Sequence, residues 1–148
     1  MTTDEQPDHI ARSQPWTLSQ GLSVTLVVVG PTFLFSELWR GRPIIDQSGD
    51  IWLIPAAIMA IGFFVGGMFA GSRRRTPDQA LMQGVVLGSL VITLLFIVDV
   101  IRRLSRDQGI PPGVLGLWVA AAAAALLVSS VGGLYGRRRA RRRVSPSG

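Results

Sequence analysis

Two acidic residues, each with an arginine three positions on, are the side chains best placed to do chemistry in this chain: Glu37 with Arg40, and Asp99 with Arg102. Each acid falls near the end of a long apolar run, where a carboxylate facing hydrocarbon is costly and is by default a functional candidate. A guanidinium at i+3 accounts for each more simply, as a local salt bridge at the edge of the run. The functional alternative is a paired acidic site, built from Glu37, Arg40, Asp99 and Arg102, at the outer mouth of a helical bundle. Gln83 and Thr93 are the notable polar groups deeper in, and hydrogen bonding between helices explains both.

The rest of the inventory excludes most catalytic classes. His9 is the single histidine and lies in a polar segment, which removes imidazole general-base chemistry and most metal sites. Cysteine is absent, so disulfides, thiolate chemistry and thiolate metal sites are excluded. No serine has a recognisable base, no carboxylates pair at catalytic spacing, and no glycine-rich phosphate loop follows a strand. The expectation is a protein that is not an enzyme and that holds neither cofactor nor metal.

The elements that must position these residues are four apolar runs, at 18–38, 51–70, 80–101 and 114–135. A helix rises about 1.5 Å per residue and the hydrocarbon core of a bilayer is about 30 Å thick, so each run is long enough to cross it once. Charged residues are 16% of the 148, below the roughly 25% of soluble domains. None falls in the middle third of a run. The expected fold is an all-α membrane protein of four transmembrane helices, with a polar tail at 1–17, a helical domain at 18–136 and an arginine-rich tail at 137–148.

All fifteen basic residues are arginine. Placing both termini inside puts ten of them in the cytoplasm (Arg12, Arg73 to Arg75, Arg137 to Arg139, Arg141 to Arg143) and five outside (Arg40, Arg42, Arg102, Arg103, Arg106). The positive-inside rule therefore predicts an N-in, C-in topology. Asp4, Glu5 and Asp8 precede Arg12, the wrong sign for a secretory n-region, so no signal peptide is expected to be cleaved. Trp16, Trp39, Trp52, Trp118 and Tyr135 lie near the ends of the runs, where amphipathic rings anchor at the headgroup level. Pro111 and Pro112 introduce the fourth run, while Gly30-Pro31 falls inside the first and predicts a kink there.

The second and fourth runs share a motif. Val65-Gly66-Gly67-Met68-Phe69 leads to a triple arginine, as does Val131-Gly132-Gly133-Leu134-Tyr135, and the same 66-residue offset carries Trp52 to Trp118. Two helical hairpins in parallel repeat are the expected architecture, with any ligand at the interface between them. Lipid tails are as apolar as leucine, so helices associate through small residues that let backbones approach. Gly62, Gly66 and Ala70 in the second run, Ala80, Gly84 and Gly88 in the third, and Ser129 with Gly133 in the fourth form such stripes. The short turn after Gly71 makes the second and third runs neighbours, so the Gly62/Gly66 face is predicted to meet the Gly84/Gly88 face. Thr76, Pro77 and Asp78 read as the cap, first position and first-turn acid of the third helix.

The arginines at 137, 138, 139, 141, 142 and 143 are expected to contact anionic lipid; with no aromatic side chain interleaved, nucleic acid is an unlikely partner. The chain lacks the first-span glutamate on which small multidrug exporters centre, and it has no asparagine, unlike small fluoride channels. Small glycine-rich spans joined by arginine turns resemble bacterial membrane proteins in general, and no motif names a family. The expected location is the bacterial cytoplasmic membrane, as a multi-pass protein. The expected role is a structural or accessory component that binds other membrane proteins or anionic lipids, or assembles with itself. The alternative is a small transporter or channel subunit.

Overall fold

The computed structural model describes residues 14–39, 53–74, 76–107 and 109–144. They form four helices, α1 (Gln14–Trp39), α2 (Leu53–Gly71), α3 (Pro77–Leu104) and α4 (Pro112–Val144). Each is long and apolar enough to cross a membrane. Helix α4 passes its expected end at Tyr135 and carries the arginines on through Val144. Arginine and alanine are strong helix formers, so nothing in this segment stops the helix. Its 33 residues span about 50 Å, well beyond a bilayer core of about 30 Å. Helix α1 runs unbroken through Pro31, and the Thr32 hydroxyl donates to the Val28 carbonyl at 2.7 Å beside it.

Helix α3 starts as its residue types require. Thr76 is the N-cap in an extended conformation, its hydroxyl accepting from the Gln79 N–H at 3.3 Å, with Pro77 and Asp78 in the first turn. The chain leaves α3 through Asp107, whose positive φ of 51° turns it out of the helix, a conformation that Asp tolerates better than most side chains.

The bundle is apolar on its outside, where Val27, Val119 and Leu127 are about 70% exposed. Its interior combines a core of Val29, Phe63, Leu87, Val91 and Leu95 with seams of small residues, Gly21, Thr25, Gly66, Gly67, Ala70, Ala80, Gly84, Gly88, Ser129 and Gly133. Small residues at the seams let helix backbones approach, the packing used between helices in hydrocarbon.

Helix α2 packs against α1 and α4 and less extensively against its neighbour α3, α4 packs against α3, α1 touches α3, and among the described residues the α1 and α4 backbones do not meet. The predicted pairing of Gly62 and Gly66 with Gly84 and Gly88 is not what forms. Gly62 and Gly66 face α1, where a Cβ at Gly62 would press on Val28 and Val29, and one at Gly66 would collide with Thr25 and Gly21. Gly84 and Gly88 face Ser129 and Ala125 of α4. The adjacent glycines explain the exchange: Gly67 and Gly71 give α2 a second small face about 100° from the first, and that face takes α4 through Ser129 and Gly133.

The α2–α4 contacts repeat with roles reversed. Gly67 against Ser129 and Gly71 against Gly133 are matched by Gly132 against Phe64 and Gly136 against Met68. The exchange relates residues 65 apart, Gly67 to Gly132 and Gly71 to Gly136, one fewer than the 66 of the sequence motif. Trp52, the other member of that motif, lies outside the described residues.

Two buried hydroxyls close the seams. Thr25 donates to the Gly21 carbonyl at 2.8 Å within α1 and lies against Gly66. The single Ser129 O–H is shared between two carbonyls in reach, Ala125 within α4 at 2.7 Å and Gly84 of α3 at 2.8 Å. Gln83 and Thr93, the polar groups expected between helices, do not fill that role: Thr93 is exposed, and the buried Gln83 Oε1 has no hydrogen-bond partner among the described residues.

Candidate functional site

Helices α2 and α4 meet tightly at the end that carries the arginines and separate toward the other. Glycines hold the tight end. The open end of α4 is a run of six alanines, Ala120 to Ala125, whose side chains are too short to fill the widening gap. The result is a half-open cleft of about 590 Å³ between α2, α3 and α4, with Phe33 of α1 at its edge. Its walls are apolar, from Met59 and Phe63 on α2, Leu95 on α3 and Ala121 and Val128 on α4. Among the described residues, the charged side chains that line it are Asp99 and Arg103, both on α3.

Asp99 is only 3% exposed. It continues the buried face of α3 that runs through Gly84, Gly88, Val91 and Leu95. Its Oδ2 accepts from Arg103 Nε at 3.0 Å and from Trp118 Nε1 of α4 at 3.0 Å. Its Oδ1 is buried with no hydrogen-bond partner among the described residues. Phe33 and Phe96 pack on the Trp118 ring, with centroids 6.0 and 5.5 Å away. The indole is thus clamped by aromatic neighbours from α1 and α3 while its N–H holds the carboxylate.

One expectation changes here. The ion-pair partner of Asp99 is Arg103 at i+4, where Arg102 at i+3 was expected. At about 100° per turn step, i+4 lies about 40° from Asp99 and i+3 about 60° on the other side, so only i+4 follows the buried face toward α4. Trp118, expected as an interfacial anchor, also donates its indole N–H to Asp99. The indole N–H and a buried acid on the preceding helix could have signalled this pairing, but apolar runs in sequence do not say which face is inside. The proposed pairing of Asp99 with Glu37 cannot be placed, since the Glu37 side chain and Arg40 lie outside the described residues.

The other candidate residues fall in separate places. Gly62, Gly66 and Ala70 are on the α1 seam, and Ala80, Gly84, Gly88, Ser129 and Gly133 on the α3–α4 seam. Arg138, Arg139, Arg141 and Arg142 are exposed along the end of α4 and Arg137 is half-buried, while the Arg143 side chain lies outside the described residues. These arginines sit at the opposite end of the bundle from Asp99. A ligand held between the repeats was expected at a symmetric interface; the cleft is instead asymmetric, with α3 supplying its polar side chains.

No known protein family matches this chain, and no curated protein or solved structure is significantly similar to it.

Proposed function

We propose that this chain is a multi-pass protein of the bacterial cytoplasmic membrane with both termini inside, acting without catalysis as a structural or accessory component. It binds other membrane proteins or anionic lipids, the latter through the arginines that extend α4. The observation that carries this reading is the closure of the seams. The buried hydroxyls Thr25 and Ser129 are spent on backbone carbonyls, and glycines bring the helices into backbone contact. A pore needs a continuous polar face, and the arginine-bearing half of the bundle supplies none among the described residues. Native mass spectrometry of the protein released from its own membranes tests the reading. A mass equal to this chain plus a different membrane protein, or retained anionic lipid, is the expected result; a closed homo-oligomer with neither would sink it.

A second reading, a small transporter or channel subunit, is favoured by the cleft and its buried carboxylate, since an ionisable group at membrane depth marks transport paths in many bundles. Flux through liposomes holding the purified protein separates the two readings.

A further inference from the structure

We propose that the cleft beside Asp99 binds a neutral, largely apolar molecule carrying one hydroxyl or amide N–H. The inference stands on the cleft alone and needs neither reading of function, because it concerns occupancy and not passage. Three observations converge. The cleft measures about 590 Å³, within the roughly 300–1,000 Å³ of sites that hold drug-sized ligands. Among the described residues its walls are apolar apart from one cluster, Asp99 with Arg103. Within that cluster Oδ1 is a buried acceptor with no donor among the described residues, while Oδ2 takes two. A buried charged acceptor left unmatched is costly, so a ligand donor placed there gains more than it would in water.

The charge of the cluster selects the ligand. Asp99 and Arg103 already neutralise each other at 3.0 Å. A cationic ligand would leave water for an apolar cleft that, among the described residues, offers it no net negative partner and sets the Arg103 guanidinium nearby. An anion would meet the unpartnered carboxylate oxygen. A neutral donor meets neither cost. Its apolar body lies along Met59, Leu95, Ala121 and Val128, and its donor reaches Oδ1. Long-chain alcohols and amides dissolved in the bilayer have this chemistry.

The test uses the full chain in lipid nanodiscs and a diazirine-bearing dodecanol as probe, with adducts located by mass spectrometry. Adducts are expected on cleft residues such as Met59, Leu95 and Ala121, and excess dodecanol should chase them. The methyl ether of dodecanol keeps an acceptor and loses the donor, and should chase at least about tenfold less well. Ala121→Phe fills the cleft while keeping Asp99, Arg103 and Trp118 themselves, and should lower cleft adducts at least about tenfold while leaving those at the outward Val27 and Leu127 unchanged. Equal chase by alcohol and ether, adducts spread evenly over the outer surface, or a stronger chase by dodecylamine would each overturn the proposal. The last result would make the site a cation site.

Discussion

The Ser129 hydroxyl on α4 reaches the Gly84 carbonyl on α3 at 2.8 Å, and a Cβ added at Gly84 would strike the Ser129 backbone. One pair of residues thus both bonds the seam and sets its width. Ser129→Ala keeps the width and loses the bond, so it should cost only about 0.6 kcal/mol, the average for such bonds between membrane helices. Gly84→Val forces the helices apart and should abolish folded protein. Unfolding in mixed detergent micelles, followed by circular dichroism, distinguishes the two; equal effects would mean that the bond, and not the close approach, holds the seam.

Glycines in this chain divide into those that touch a neighbour and those that do not. Gly66→Leu drives a side chain into Thr25 and Gly21 and should eliminate monodisperse protein on gel filtration. Gly116 has open space where a Cβ would stand. Gly116→Ala should therefore leave stability unchanged or raise it by up to about 1 kcal/mol, the helix-propensity gain of Ala over Gly.

Asp99, Arg103 and Trp118 should behave as one unit. Arg103→Leu strands a buried carboxylate and should destabilise by up to about 3 kcal/mol. Removing both charges, with Asp99→Leu added, should recover most of that loss. Trp118→Phe keeps the ring between Phe33 and Phe96 and removes one donor to a charged acceptor, at about 1.5 kcal/mol. A double-mutant cycle on Asp99 and Arg103 in detergent checks the coupling, and additive losses would show that the pair is independent.

The proposed orientation has its own test, made simple because the chain has no cysteine. Gly109 and Arg139 are both exposed and lie at opposite ends of the bundle. Gly109→Cys should react with a membrane-impermeant maleimide in cells whose outer barrier is permeabilised, whereas Arg139→Cys should react only after lysis. The reverse pattern would invert the topology.

Helix existence was legible because length and apolarity alone set it, and the start of α3 was legible because Thr76, Pro77 and Asp78 act locally. Partner choice was not. Gly62/Gly66 and Gly84/Gly88 announce close approach by something, and the stripe that receives the α2 pair, Gly21 with Thr25 on α1, carried the same four-residue signal and went unread. The cleft was harder still. It follows from what Ala120 to Ala125 fail to fill, and an alanine run reads in sequence as packing. The bond from Trp118 to Asp99 was not legible because an indole near a helix end suits a headgroup as well as a buried acid, and only the tertiary fold brings the acid within reach.

Helix α2 keeps one glycine face for α1 and another for α4, and the second partner is the last of these four helices to be synthesised. Until α4 leaves the ribosome, Gly67 and Gly71 stand open on a hairpin already made. The nascent chain therefore carries an unclaimed groove throughout the synthesis of α3. A chain that stops short of α4 would leave Gly67 and Gly71 exposed to the α4 of another copy.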